Sequence, residues 1–218
     1  MDSVSAFDTR PEKNTQLDVG LIQRGERLST SVSLFYNEIE DYILIESNYR
    51  KGMRLATLAR NVDANTWGGE AGASYAIAAN WSADATLAYT RGENETDDHA
   101  LGQQSPLEGR LSINYDNGTW SAGALLRLVD DQDRYALNEG NVVGQDLGET
   151  DGFAVLSLNG GWKLRDGVRL TAGIDNLLDE TYAEHISRGG AMVAGYTQTV
   201  RVNEPGRTAW MKLSLALD

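Results

Sequence analysis

Apolar and polar residues alternate without interruption over the last eleven positions, Thr208 to Asp218. Ala209, Met211, Leu213, Leu215 and Leu217 occupy one side of the alternation, and Trp210, Lys212, Ser214, Ala216 and Asp218 the other. A period of two marks a strand with one apolar and one polar face, because successive side chains of a strand point to opposite sides. The pattern recurs. Leu111, Ile113 and Tyr115 alternate with Arg110, Ser112 and Asn114; Val168, Leu170, Ala172 and Ile174 with Arg169, Thr171, Gly173 and Asp175; Leu17, Val19 and Leu21 with Gln16, Asp18 and Gly20. It predicts nine strands, at roughly 13–24, 28–46, 54–78, 81–91, 107–116, 119–130, 152–163, 168–176 and 207–217.

The links between these strands sort by length. Gly25-Glu26-Arg27, Ala79-Asn80, Asn117-Gly118 and Arg165-Asp166-Gly167 are tight turns, whereas 92–106, 131–151 and 177–206 are long and polar. Asn117-Gly118 between alternating runs predicts a hairpin turn with positive φ at both central residues. Short turns on one rim and long loops on the other, joining segments that are apolar on one side only, are what a transmembrane β-barrel requires. A soluble sandwich has no reason to sort its loops by end. Trp81, Trp120 and Trp162 fall beside the short turns and Tyr89 and Tyr115 at segment ends, the placing expected of aromatic girdles at a lipid–water interface.

Composition narrows the picture further. The longest apolar runs are far short of the ~20 residues a spanning helix needs, and mean hydropathy is −0.40. A barrel strand, by contrast, hides its apolarity by alternating it. The net charge of −13 leaves no basic stripe for nucleic acid. The chain has no cysteine, which excludes disulfides, thiolate metal sites and cysteine nucleophiles. Met1-Asp2-Ser3-Val4-Ser5-Ala6-Phe7 lacks the basic and apolar regions of a secretory signal, so a mature form or a piece of a longer protein is expected.

Several segments carry a resemblance. Arg10-Pro11-Glu12-Lys13-Asn14 leading into Leu17-Asp18-Val19-Gly20-Leu21 resembles a strand start in TonB-dependent outer-membrane receptors. Ser33 to Ile43 looks like that family's long strand running to the cell surface, and Asn61-Val62-Asp63-Ala64 with Trp67-Gly68-Gly69-Glu70 like its returning partner. The most specific motif is Gly173-Ile174-Asp175-Asn176-Leu177-Leu178-Asp179-Glu180-Thr181-Tyr182, similar to the family's "Asn-Leu-Phe-Asp…Tyr", with Leu178 where Phe is usual. Tyr182-Ala183-Glu184-His185-Ile186-Ser187-Arg188, Gly195-Tyr196 and Arg201 to Thr208 are similar to the copper-receptor branch. The chain departs from the family in ending Leu215-Ala216-Leu217-Asp218 rather than on an aromatic residue.

The resemblance implies an all-β fold: an antiparallel transmembrane β-barrel segment of about nine strands, drawn from a larger barrel of about 22 strands, which nine cannot close. Residues 1–218 are then expected to form the C-terminal part of a receptor barrel, without the plug domain, TonB-binding box or signal peptide. The implied setting is the outer membrane of a Gram-negative bacterium, with lipid, the rest of the barrel, the plug and, through the plug, TonB as partners. The implied function is uptake of a small ligand, with copper as cargo rather than cofactor.

Copper would call for imidazole or soft ligands. His185 and Met192, close together in the last loop, are the candidates, with His99 and Met53 in other loops. The competing reading places His185 in a structural hydrogen-bond network with Met192 packed under it. The acidic cluster Glu93, Glu95, Asp97 and Asp98 lacks the glycine-pinned spacing of a calcium loop and reads as a solvated loop, as do Asp130, Asp131 and Asp133. Arg110, Arg127, Arg169 and Lys212 fall on the polar side of their strands and are expected to line the lumen. No arrangement of catalytic side chains is recognisable, so the chain is not expected to be an enzyme. Two alternatives remain: a small self-closing outer-membrane barrel acting as adhesin or pore, and a soluble β-sandwich binding module.

Overall fold

In the computed structural model, residues 2–4, 9–141, 144–190, 194–195 and 199–216 are described. Their strands are β1 (Asp2–Val4), β2 (Lys13–Arg24), β3 (Leu28–Lys51), β4 (Arg54–Ala78), β5 (Trp81–Asn94), β6 (His99–Ala100), β7 (Glu108–Asp116), β8 (Trp120–Val129), β9 (Glu139–Gly140), β10 (Phe153–Arg165), β11 (Val168–Asp175) and β12 (Thr208–Leu215). Nine of them form one meander in the order β12-β11-β10-β8-β7-β5-β4-β3-β2. Each neighbour in that order pairs antiparallel with the next. These are the nine strands the alternation predicts. Among the described residues no second sheet packs over the first, as a sandwich would need, and β2 and β12 do not close on one another.

The register carries a single apolar face across all nine strands. In one stretch Leu158, Ile174 and Ala209 share a row, then Gly160, Ala172 and Met211, then Trp162, Leu170 and Leu213. At the other edge Leu17, Tyr36 and Trp67 share a row, as do Val19, Leu34 and Gly69. Met211, Leu213 and Leu215 are 74%, 57% and 59% exposed, so no protein covers this face. An apolar surface of that extent is what the outward face of a transmembrane barrel strand presents. Lys212 and Ser214 project to the opposite side, paired with Thr171 and Arg169, as the alternation of the last strand requires. Leu217 and Asp218 lie outside the described residues.

Aromatic side chains close the apolar band at both ends. Near the short turns Trp81 packs on Tyr115 with ring centroids 5.0 Å apart, and Trp120 stacks on Trp162, also at 5.0 Å. Toward the long loops Trp67 meets Tyr89 edge-on at 5.6 Å. Trp81 and Tyr89 sit on the same face of β5, about 26 Å apart at ~3.3 Å per residue, which matches the ~25 Å apolar band of outer-membrane barrels.

The Asn117-Gly118 turn differs from expectation. Only Gly118 has positive φ, at 85°; Asn117 does not. The loop spans residues 117–119, and Asn117 instead caps it, its Oδ1 accepting the Thr119 and Trp120 amides at 3.0 and 2.8 Å. A three-residue hairpin loop needs only one left-handed residue, and glycine fills that place.

Candidate functional site

β3 and β4 are 24 and 25 residues long, more than twice the ~9–11 needed to cross a bilayer, so their hairpin rises well beyond the apolar band. Two bulges bend β3 as it rises, with Asp41 and Asn48 in left-handed conformation at φ 59° and 61°. Asp and Asn are the non-glycine residues that tolerate this best. The buried apolar core of the molecule lies here, above the band. Leu44, Ala56, Val62 and Ala64 of the hairpin and Leu101 and Ala136 of the adjoining loops are at most 7% exposed. Loop 131–151 adds β9 to the edge of β3, pairing Ile45 with Gly140 and Glu46 with Glu139. The long loops therefore form one packed canopy.

Asp146 organises the canopy. Its side chain is fully buried. Oδ2 accepts the amides of Gln103 at 3.0 Å and Ala136 at 3.3 Å, and Oδ1 accepts that of Gly148 at 2.9 Å. His185 brings Nε2 to 3.5 Å from Oδ2, an electrostatic contact rather than an aligned hydrogen bond, while its Nδ1 lies 3.0 Å from Thr150 Oγ1. Arg201, 5% exposed, donates to the carbonyls of His185 at 3.0 Å, Glu149 at 3.1 Å and Gly148 at 2.5 Å, and stands 3.9 Å from Asp146 Oδ1. Burial opposes ionisation of Asp146. The His185 ring and the Gln103 and Gly148 amides outweigh that and hold its pKa below the usual carboxylate value. One carboxylate thus joins loops 92–106, 131–151 and 177–206.

On the polar side of the sheet, Arg127 binds two carboxylates. Its Nε and Nη2 donate to Glu108 at 2.9 and 2.7 Å, and its Nη1 and Nη2 donate to Glu184 of the last loop. The guanidinium also lies 5.2 Å from the centroid of the Phe153 ring, which packs on Tyr182 at 4.2 Å. The part of the last loop that carries Tyr182 and Glu184 is therefore folded inward over the lumen. Arg110 joins the same network through Glu108 at 2.5 Å. The acidic loop cluster is more structured than a solvated loop. Arg60 holds both Glu46 and Asp97, at 2.6 and 2.5 Å, and Glu93 is shared by Arg91 at 2.7 Å and Arg134 at 3.1 Å.

Of the candidate copper ligands, His185, His99 and Met53 each occupy a separate environment. His185 is buried against Thr150 and Asp146. His99 lies 3.5 Å from Glu139 and 4.0 Å from an Asp97 already held by Arg60. Met53 is fully exposed at the tip of the β3–β4 hairpin, and Met192 lies outside the described residues. Among the described residues no three His, Cys, Asp or Glu side chains are arranged to hold a metal ion. Asp146 went unnoticed in the sequence because no local pattern marks it; its partners lie in three separate loops.

Comparison with known proteins places this arrangement. The family model described as TonB dependent receptor-like, beta-barrel, matches residues 3–177. Among solved structures, the copper transporter OprC superposes with a TM-score of 0.90 at 47% identity, over 98% of this chain and 32% of that one. A mutant of the ferric enterobactin receptor PfeA from Pseudomonas aeruginosa gives 0.69 at 19% identity, over 94% and 31%. The FrpB iron transporter from Neisseria meningitidis (F3-3 variant) gives 0.67 at 20%, over 97% and 32%. The latter two share the fold alone. The chain spans about a third of the length of each of these receptors. Curated proteins yield no significant match. A nine-stranded wall, apolar outside and polar inside, under a canopy of long loops, thus has the family model over most of its length: the chain belongs to the TonB-dependent receptor β-barrel family.

Proposed function

We propose that residues 1–218 form the C-terminal part of the barrel of an outer-membrane receptor that takes up copper. The observation that carries this reading is the 47% identity to the copper transporter OprC, held over 98% of the chain, against 19–20% to the ferric receptors. The chain's part is to supply lipid-facing wall, lumen lining and part of the outer canopy. Energy coupling through a plug and TonB belongs to the remainder of such a receptor. The role is transport, with no bond-making step.

His185 is read here as a strut of the canopy, since its ring is buried and committed to Thr150 and Asp146. Copper binding is assigned mainly to the rest of the receptor. The test is a chimaera in which this chain replaces the matching third of OprC, assayed for copper uptake in a receptor-deleted strain. Uptake within a few-fold of OprC itself is expected; loss of copper uptake by a chimaera that reaches the membrane overturns the reading. In the same chimaera His185→Ala should leave copper affinity unchanged by calorimetry. A loss of about tenfold, or ~1.4 kcal/mol, would instead make His185, with Met192 as its neighbour, a copper ligand.

A further inference from the structure

At the short-turn end, the apolar face of the wall finishes on a cation. The register sets Arg165, Val168 and Leu215 in one row across β10, β11 and β12, on the face that carries Trp162, Leu170 and Leu213 in the row before it. A bulge puts Arg165 there. Lys163 pairs with Arg169 on the inner face, and in a regular strand Arg165, two positions on, would point the same way. Between these two pairs β10 advances two residues while β11 advances one, so Arg165 turns to the apolar side. It stands two residues of β11, about 7 Å at ~3.3 Å per residue, beyond the level at which Trp162 stacks on Trp120 with ring centroids 5.0 Å apart. Its side chain is exposed and has no polar partner among the described residues.

Beside Arg165 opens a hollow of about 450 Å³ that straddles the rim of the sheet. Val168 and Leu215 of the apolar face line one part of it, and Lys163, Arg165, Arg169 and Ser214 the rest, with no carboxylate in its wall. The two inner cations are answered in part by neighbours. Asp166, 99% exposed, contacts Lys163 at 2.6 Å, and Asp116 comes no nearer to Arg169 than 3.8 Å. A cation without a counter-charge, at the edge of an apolar face and just past stacked tryptophans, occupies the level of lipid phosphates. We propose that this hollow seats an anionic phospholipid of the leaflet on the short-turn side. Its phosphate rests on Arg165, with Lys163 and Arg169 behind, and its acyl chains run back over Val168, Leu215 and Trp162. The proposal rests on the reading of the apolar face as membrane-spanning, and charge complementarity together with continuity with that face selects the occupant.

The test is native mass spectrometry of the whole chain, refolded in dodecyl maltoside micelles and titrated with phosphatidylglycerol, with phosphatidylcholine and inorganic phosphate as comparisons. Phosphatidylglycerol should bind at least about fivefold more tightly than phosphatidylcholine. Arg165→Gln should lose about fivefold in affinity for it, the order expected of one basic residue at an anionic lipid surface. The charge-conserving Arg165→Lys variant should stay within about twofold of wild type. Lys212→Gln, on the inner face and outside the hollow, should bind as wild type does. Excess inorganic phosphate should not displace the lipid. Equal binding of the two lipids, an unchanged Arg165→Gln, an equal loss in Lys212→Gln, or displacement by phosphate would each overturn the proposal. If Arg165→Gln fails to fold, the lipid comparison and the phosphate competition on wild type decide. Failure to bind either lipid would overturn the membrane-spanning reading along with the site. Copper uptake by the chimaera does not enter this measurement, so the copper reading and this one fail separately.

Discussion

Asp146 shows how much of the outer surface one side chain can control. It accepts three backbone amides from two loops and faces two cation-forming side chains from a third. Asp146→Asn would turn one acceptor oxygen into a donor aimed at an amide and leave Arg201 buried without its carboxylate. A buried group left unsatisfied costs about 1–3 kcal/mol, so the canopy should loosen by that order. Hydrogen exchange should show the amides of Gln103, Ala136 and Gly148 losing protection together while the amides of β7, β8 and β10 keep theirs. Uniform loss across the sheet would mean that Asp146 supports the whole wall instead. The pH dependence has a definite sign. Because the folded-state pKa of Asp146 is held below its unfolded value, near 3.9, its contribution is complete above that value. It is lost as pH falls through the lower folded-state pKa. Loop cleavage by an acid protease should therefore rise only below about pH 4, and in Asp146→Asn the rise should be absent.

Among the strands, sidedness is the property that matters. Ser31 and Val32 are consecutive in β3, yet their register partners, Gly72 and Ala71, put them on opposite faces of the sheet. Val32 is 44% exposed on the lipid side. In the chimaeric receptor inserted into lipid vesicles, Val32→Arg should cost about 2–4 kcal/mol if it lies near mid-bilayer. Ser31→Arg, reaching into the aqueous side, should cost less than about 1 kcal/mol. Denaturant unfolding checks both, and equal costs would contradict a lipid-facing assignment. The same strands explain the Trp67-Gly68-Gly69-Glu70 run. A Cβ on Gly68 would stand 2.2 Å from the Tyr89 carbonyl oxygen, and one on Gly69 would stand 2.5 Å from Leu34 Cδ2 and 2.7 Å from the Ser33 carbonyl oxygen. β3, β4 and β5 close together at that point because two side chains are missing.

At the scale of the whole molecule, the decisive feature is that the wall is open among the described residues. β2 and β12 end the meander, and each presents a row of backbone donors and acceptors that other strands would pair. Strands of this tilt close a barrel only when their number and shear agree. The chain expressed alone should therefore form concentration-dependent oligomers in detergent, visible by sedimentation, and should not restore copper-dependent growth to a receptor-deleted strain. A stable monomer that did restore growth would show that the nine strands close by themselves and that the receptor reading is wrong.

The strand content was legible in the sequence because the face a residue occupies in a strand is a local property. Leu213 and Lys212 differ by one position and therefore by one face, whatever the rest of the chain does. A wall apolar on one side and polar on the other also imposes its polarity on strand after strand, so β2, β7, β11 and β12 could be read by the same rule. The local rule failed where geometry depended on how the chain closes a loop. At Asn117 the expected positive φ was absent, and in β3 the alternation ended near Glu46 although the strand runs on to Lys51 past the bulge at Asn48. Chemistry was legible only as residue types. His185 could be noticed as an imidazole in a loop, but its being sealed against Thr150 and Asp146 depends on residues 35 and 39 positions earlier. The pairing of Arg127 with Glu184, 57 positions away, is of the same kind. The sequence by itself determined the strands, their faces and the end of the wall at which the loops lie, since side-chain alternation and turn chemistry act over neighbouring residues. Which loop charges meet, which are buried and which stay unanswered was decided by the tertiary structure, because Coulomb and desolvation energies depend on distances that only the folded chain creates.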